Sequence, residues 1–303
     1  MIEITETRIP SSDGRHQLYT RIYTPAGDVK GLFHVVHGMC EYIARYDGFM
    51  RAMAEQGFVC YGFDNLGHGN TATDDSDLGY LVGWDYLVKD VQNVTKQMKA
   101  QYGAGLPCFL LGHSMGSFIA RCAATPKYWD KAIFMGTGGP NPAAKPGLAL
   151  IRFKIRTNGA HATSAFMENL LFSSYTSHFK DEHDRIAWLS TDTSVRDAYR
   201  KDKYCTFHFT LNGFYALVKL QSLSNSKLWF RSVSDRLPIL LVSGSEDPVG
   251  SYGKGVTQVY RSLQKNGKQA EMKLYQGYRH EILNDFCREE VIQDILQFVM
   301  RNA

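Results

Sequence analysis

The 303-residue sequence contains no long apolar run, no dense basic stretch, no low-complexity segment and no internal repeat. A membrane-spanning helix needs roughly 18 or more predominantly apolar residues, and no stretch approaches that length. The formal net charge of +4 is slight for a chain of this size, so we expect no nucleic-acid partner. An apolar fraction of 44% is enough for a sizeable core, which favours a globular protein.

Metal and disulfide patterns are also missing. The six cysteines are scattered, without a C-x-x-C pair, and several lie in apolar segments. This favours reduced thiols over a disulfide framework or a zinc site. The first six residues alternate and are acidic, unlike a secretory signal, so we predict a cytoplasmic location. No H-E-x-x-H, Walker or suitably placed G-x-G-x-x-G motif occurs, so we expect neither a metal nor an organic cofactor.

The most informative stretch is Gly112-His113-Ser114-Met115-Gly116. An apolar, strand-like run (108–111) precedes it and a helix-like run (117–124) follows it. A G-x-S-x-G motif on a strand-to-helix turn is typical of a nucleophile elbow, whose sharp turn needs glycines at its flanks. The five letters alone could occur by chance, and the flanking pattern is what favours the catalytic interpretation.

Strand-like and helix-like segments alternate around this motif. Such alternation predicts an α/β fold with a mostly parallel central sheet flanked by helices. The strand-like runs are 31–38, 59–63, 108–111, 131–135, 237–244 and 271–275, after an opening antiparallel strand at 14–24. The helical runs are 44–56, 84–102, 117–124, 256–264 and 291–301.

The alternation breaks between residues 140 and 236, where the chain is mainly helical and rich in aromatic residues. We predict a cap at 140–236, inserted between two parts of one core domain, 1–139 and 237–303. Ligands of open α/β sheets bind at the carboxyl ends of the strands, which such a cap would cover. The alternative is a separate interaction domain.

An elbow serine needs a base, an acid that orients the base, and donors for the oxyanion. In folds with this elbow the acid and the base follow the serine in that order, each just past a strand. Asp247 follows the run 237–244 and is the predicted acid, with Glu246 as the competitor. His280 follows the run 271–275 and is the predicted base. The backbone N–H groups of Met115 and Met39 are the predicted oxyanion donors.

Five motifs then stand in order along nearly the whole chain: His37-Gly38-Met39-Cys40-Glu41, Phe63-Asp64-Asn65-Leu66-Gly67-His68-Gly69, Gly112-His113-Ser114-Met115-Gly116, Ser245-Glu246-Asp247-Pro248 and Tyr278-Arg279-His280-Glu281. This set resembles the monoacylglycerol lipase and lysophospholipase family of α/β-hydrolases, the serine-aminopeptidase-like group. The resemblance implies an α/β-hydrolase fold with a cap between strands six and seven.

The resemblance also implies roles for single residues. Ser114, Asp247 and His280 would form the catalytic triad, and Met39 and Met115 the oxyanion hole. Glu41 would lie near the polar head of a substrate, or would instead form a structural salt bridge. Cys40 is either a reactive thiol or an inert small residue, and the reactivity of Cys205 is equally open.

We therefore predict a serine ester hydrolase that acts through an acyl-enzyme on monoacylglycerol or lysophospholipid. The alternatives are a carboxylesterase, thioesterase or aminopeptidase with the same triad, or a binding protein without activity. The predicted partners are a small-molecule ester with an acyl chain and, through the cap, a transient membrane-surface contact. The protein would be a monomer or a homodimer.

Overall fold

The computed structural model describes residues 1–125 and 127–301 of the chain. Eight strands form one sheet in the spatial order β1-β2-β4-β3-β5-β6-β7-β8. β1 and β2 pair antiparallel, as do β2 and β4, and the other neighbours are parallel. The predicted mostly parallel sheet is therefore confirmed. The strands are β1 Glu3–Pro10, β2 Gln17–Thr24, β3 Gly31–Val36, β4 Phe58–Phe63, β5 Cys108–His113, β6 Lys131–Met135, β7 Ile239–Gly244 and β8 Ala270–Tyr275.

β1 is the strand that the sequence pattern did not predict. It lies at the sheet edge and pairs with β2 from Glu3 opposite Thr24 to Pro10 opposite Gln17. Ile9 is its only buried residue, so the strand has almost no apolar signal. Backbone hydrogen bonds to β2 hold it, and these do not depend on side-chain type.

Helices cover both faces of the sheet. α1 (Asp47–Glu55) and α10 (Arg288–Met300) pack on one face, where Met50 and Ile295 join one buried cluster. α2 (Trp84–Tyr102), α3 (Met115–Ala123) and α9 (Lys254–Lys265) pack on the other face. The central strands β3 to β7 are buried throughout, as expected for parallel strands covered on both sides.

Between β6 and β7 the chain forms five more helices: α4 Ala144–Asn158, α5 Ala165–Phe172, α6 Thr193–Lys201, α7 Leu211–Ser224 and α8 Lys227–Ser232. α7 is deeply buried and packs against α3 and α4. Its Leu211, Phe214 and Leu220 belong to the same hydrophobic cluster as Leu110 and Phe134 of the sheet. This segment therefore shares a core with the sheet.

None of the helices in the described part of the chain is both long enough and apolar enough to span a membrane.

Candidate active site

Ser114 occupies the sharp turn between β5 and α3. Its backbone has φ 53° and ψ −121°, in a region that residues with a Cβ rarely adopt. The Ser114 N–H donates to the carbonyl oxygen of Met135 at 2.9 Å, which ties the turn to the end of β6. A strained serine at a strand-to-helix junction is the geometry that the G-x-S-x-G motif predicts.

The two flanking glycines are required by close backbone approaches. A Cβ added at Gly112 would lie 2.3 Å from the carbonyl oxygen of Gly116. One added at Gly116 would lie 2.2 Å from the carbonyl oxygen of Val36, at the end of β3. The helix can therefore begin directly over the sheet only when both positions lack a side chain, as the sequence predicted.

Asp247 and His280 meet at the same edge of the sheet. Asp247 is fully buried in the loop after β7, and its Oδ2 lies 2.9 Å from Nδ1 of His280. The same Oδ2 accepts from the Ser243 hydroxyl at 3.1 Å, and Oδ1 accepts the Val249 N–H at 2.8 Å. The carboxylate that reaches the imidazole thus belongs to Asp247, and the neighbouring Glu246 has its own N–H bonded to the Tyr278 carbonyl.

The loop that carries His280 is tied to the segment between β6 and β7. The N–H of His280 donates to the Trp188 carbonyl at 3.3 Å, and the N–H of Glu281 donates to the Leu189 carbonyl at 2.7 Å. The Arg279 guanidinium pairs with Glu182 and donates to the Ala187 carbonyl at 2.6 Å. The position of the imidazole therefore depends on that segment as well as on β8.

Met115 and Met39 lie on either side of the turn. Met115 is the first residue of α3, so its N–H has no acceptor within the helix. Met39 follows β3, in the loop where the Gly38 N–H donates to the Glu41 carboxylate. Both methionines line the same cavity as Ser114 and His280.

Glu41 is buried, and one of its carboxylate oxygens contacts several polar neighbours. Its Oε1 accepts from the Tyr46 hydroxyl at 3.0 Å and lies 2.8 Å from Nδ1 of His113. Burial opposes ionisation of Glu41, but the nearby His113, with His37 and Arg45, outweighs it and lowers the pKa of the carboxyl. The pKa of His113 is raised, because Glu41 outweighs the effect of burial. The other oxygen, Oε2, has no hydrogen-bond partner among the described residues.

One cavity of about 820 Å³ lies at this edge of the sheet. The sheet loops contribute Met39, Glu41, Ser114 and His280 to its wall. The segment between β6 and β7 contributes aromatic and apolar side chains: Phe172, Tyr175, Ile186, Trp188, Leu189, Tyr199, Phe207, Phe209 and Leu217. It also contributes polar and charged side chains: Glu168, His183, Asp184, Arg185, Arg200, Thr206 and His208. A volume of this size is typical of a pocket for a small organic molecule.

A family described as serine aminopeptidase, S33, matches residues 27–286. The chain belongs to this family. The monoglyceride lipase of Rattus norvegicus is 25% identical over 271 residues, which cover 89% of this chain and 81% of that protein. A thermostable carboxyl esterase from Bacillus coagulans, solved with glycerol, is 30% identical with a TM-score of 0.92 and covers 99% of this chain and 98% of that one.

The match to a longer relative, an uncharacterized abhydrolase domain-containing protein of Dictyostelium discoideum, is 24% identical and covers 94% of this chain but 28% of that protein. Family membership confirms the predicted resemblance and the α/β-hydrolase fold. The chain is a carboxylic ester hydrolase of this S33 family.

The cysteines are free thiols, and five of the six are buried. Burial raises the pKa of Cys40 well above its usual range, and burial raises the pKa of Cys205 to about 12. A thiol that stays protonated is a poor nucleophile, and both side chains line the cavity of this S33 hydrolase. Among residues 1–125 and 127–301, no cluster of histidine, cysteine or acidic side chains is arranged to hold a metal ion.

The sequence did not assign several neighbours of the site. Arg45 forms an ion pair with Glu281 at 2.5 Å, and His113 Nε2 lies 3.3 Å from the carbonyl oxygen of His280. Ser243 and Trp188 also contact Asp247 and His280. Apart from Ser243 and Asp247, the contacting residues are far apart in the chain, so sequence spacing gave no signal for these contacts.

Proposed function

We propose that Ser114, Asp247 and His280 form the catalytic triad of this ester hydrolase. The observation that carries the proposal is the contact of Asp247 Oδ2 with His280 Nδ1, in a cavity that Ser114 also lines. Asp247 orients the imidazole with Nε2 free for the serine and stabilises its charged form. His280 takes the Ser114 proton as the hydroxyl attacks the ester carbonyl.

The backbone N–H groups of Met115 and Met39 then stabilise the tetrahedral oxyanion. Loss of one such donor typically lowers kcat by about 10²–10³-fold. The alcohol leaves with the proton that His280 carries, and an acyl group remains on Ser114. Water, activated by His280 in turn, releases the fatty acid and restores the serine.

We infer a lipid-type substrate, a monoacylglycerol or a lysophospholipid, from the side chains that line the cavity. Its aromatic and aliphatic wall suits an acyl chain, since burial of each methylene contributes about 0.8 kcal/mol. Glu41 and Glu281 also line the cavity and supply charged groups. Oε2 of Glu41 is buried and has no hydrogen-bond partner among the residues that the structure describes.

An aminopeptidase needs a free carboxylate for the substrate amine. Asp181, Glu182 and Asp184 form the acidic cluster that could supply one, and two of its members are paired: Glu182 with Arg196 and Arg279, and Asp184 with Arg196 and Arg200. Charges that are neutralised in this way favour an uncharged ester over a free amino terminus. Hydrolysis of thioesters and of short esters would use the same triad and oxyanion donors. A series of substrates that differ in chain length and leaving group distinguishes these activities.

We propose that residues 140–236 act as a cap that contacts membrane surfaces. Phe153, Phe166 and Leu170 are 63%, 58% and 56% exposed on α4 and α5. α4 carries no acidic residue and four basic ones: Lys145, Arg152, Lys154 and Arg156. Co-sedimentation with anionic vesicles should fall for Phe153→Ser/Phe166→Ser. Equal binding of this variant and the wild type would rule the surface out.

The triad is tested by labelling with a fluorophosphonate, on the wild type and on Ser114→Ala. Wild-type protein should become labelled, and Ser114→Ala should not. Ser76→Ala, which changes an exposed serine outside the cavity, is the matched control and should label normally. Label on folded Ser114→Ala would contradict the assignment of the nucleophile.

The substrate class is tested with glycerol and methyl esters of increasing chain length, a lysophospholipid and a matched thioester. We expect kcat/KM to rise from short to medium or long acyl chains, and glycerol esters to exceed methyl esters. A preference for acetyl esters without dependence on the alcohol would favour a small-ester carboxylesterase. A preference for the thioester would favour a thioesterase.

A further inference from the structure

A chain of hydrogen bonds ends on the carbonyl oxygen of Ser114. The Ser117 hydroxyl lies 2.6 Å from this oxygen, which also accepts the Ser117 N–H at 2.9 Å. The Ser117 Oγ lies 2.8 Å from Oγ1 of Thr137, in the loop after β6. Nη1 of Arg121, on α3, lies 3.2 Å from the same Thr137 oxygen.

The directions of these hydrogen bonds follow from the number of hydrogens. The Ser114 carbonyl oxygen can only accept, so the single hydroxyl hydrogen of Ser117 is donated to it. The Thr137 hydroxyl must then donate to Ser117, and Thr137 in turn accepts from the guanidinium of Arg121. The chain therefore runs in one direction, from a cation to the peptide that follows the nucleophile.

Arg121 is fully buried, and no carboxylate forms an ion pair with it within the described ranges. Its other partners are neutral: the Gly138 carbonyl at 3.4 Å, the Ser224 carbonyl, the Asn225 side chain at 3.1 Å and the ring of Trp229 at 4.4 Å. Burial lowers the pKa of Arg121 to about 9, so the guanidinium is charged at neutral pH. A buried charge without an anionic partner polarises its hydrogen-bond partners strongly, because the surroundings screen it weakly.

We propose that Arg121, Thr137 and Ser117 are positioning residues that polarise the Ser114–Met115 peptide and strengthen its N–H as an oxyanion donor. A hydrogen bond to an amide oxygen draws electron density from the amide nitrogen, and hydrogen bonds in series reinforce one another. The first link is charge-assisted, which makes it stronger than a neutral one. The inference rests on the proposed function, in which the Met115 N–H binds the oxyanion.

The size of the effect follows from two general magnitudes. One oxyanion donor contributes about 10²–10³-fold in kcat, and cooperative polarisation strengthens a hydrogen bond by about 10–30%. We call the hydrogen-bond chain of Arg121, Thr137 and Ser117 the relay. Its loss should therefore lower kcat by about two- to eightfold. KM should not change, because the oxyanion exists only in the transition state and the tetrahedral intermediate.

The test uses Thr137→Val and Ser117→Ala, which delete the hydroxyls at little change in shape, together with the double variant. Thr137→Ser keeps the hydroxyl and should restore wild-type kcat. Thr95→Val is the control, because Thr95 is a buried threonine whose hydroxyl also has two partners, His34 at 2.8 Å and Tyr61 at 3.1 Å. It should lower stability without lowering kcat of the folded protein.

A second readout separates polarisation from simple support of the fold. Affinity for an alkyl boronic acid, which forms a tetrahedral adduct on the serine, should fall in the same proportion as kcat. Affinity for the fatty acid product should stay constant. Because the three groups act in series, Thr137→Val should lower kcat no further when Ser117 is already alanine.

The relay would be overturned by additive losses in the double variant, by a loss carried in KM, or by an equal loss of kcat in Thr95→Val. If Thr137→Val does not fold, Ser117→Ala alone gives the same comparison of kcat with boronic acid affinity. Failure of the proposed function is distinguishable, since Ser114→Ala would then keep its ester hydrolysis. An inactive Ser114→Ala beside fully active Thr137→Val and Ser117→Ala would reject the relay alone.

Discussion

At the scale of one residue, chain order and contact geometry contribute differently to the choice of Asp247 as the acid. Order along the chain limited the acid to the loop after β7, but two adjacent carboxylates, Glu246 and Asp247, satisfied it. In the structure the Asp247 carboxylate is fully buried and reaches His280, while it also accepts from Ser243 and Val249. A single step along the backbone changes which side a side chain faces, and sequence spacing does not specify that.

Asp247→Asn should lower kcat by about 10⁴-fold, because an amide favours the wrong tautomer of His280. Glu246→Gln is the matched control and should keep the wild-type rate. Steady-state ester hydrolysis at neutral pH checks both variants, with circular dichroism to show that they fold. A large loss of kcat in Glu246→Gln, with Asp247→Asn active, would show that Glu246 and not Asp247 is the acid.

At the scale of secondary-structure elements, the charged side chain of Lys131 joins strand β6 to helix α10. Its ammonium group, at the start of β6, is buried and donates to the carbonyl oxygens of Phe298 at 2.8 Å and Arg301 at the end of α10. Burial lowers the pKa of Lys131, yet the last carbonyls of a helix favour a cation. In the sequence this lysine only precedes an apolar run, which gives no sign of its contact with α10.

Lys131→Met should destabilise the protein by about 1.5–3 kcal/mol, since charge-assisted hydrogen bonds to the α10 terminus are lost. Lys89→Met removes an exposed pair with Asp85 one turn away and should change stability by less than about 0.5 kcal/mol. Urea denaturation of the two variants gives the comparison. Equal stabilities would mean that water replaces the Lys131 contacts without loss.

Three fully buried histidines matter at the scale of the whole molecule. Burial lowers the pKa of His34 to about 3 and of His68 to about 3, and burial, opposed by Glu41, lowers the pKa of His37 to about 4. The neutral ring of His37 uses both nitrogens, since Nδ1 lies 2.8 Å from the Gly38 carbonyl and Nε2 accepts the Asn65 N–H at 2.8 Å. A second proton on this ring would occupy Nε2, which could then no longer accept the Asn65 N–H.

Stability should therefore fall as the pH drops below about 6.5, the ordinary pKa of histidine. Below pH 6.5 these three histidines become protonated in the unfolded chain. In the folded chain they stay neutral until the pH falls to about 4 for His37 and about 3 for His34 and His68. The slope for three histidines approaches about 4 kcal/mol per pH unit, and above pH 7 they contribute no slope. Urea denaturation at pH 7.5, 6.5 and 5.5 measures it.

His34→Phe should reduce the acid slope by about 1.4 kcal/mol per pH unit, because one group that resists protonation in the folded state no longer titrates. His208→Gln, which changes a side chain that is 66% exposed, should leave the slope as in the wild type. An unchanged slope in His34→Phe would show that His34 does not resist protonation in the folded state.

The sequence by itself determined the parallel sheet, the elbow and the order of the site residues, because apolar periodicity, glycines at sharp turns and chain order are local properties. It also determined the family, since five motifs stand in register along the chain. Only the tertiary structure decided which carboxylate reaches His280, how Glu182 and Asp184 are paired, and that β1 forms. These features depend on contacts between residues far apart in the chain, whose side-chain directions are set by packing and not by spacing.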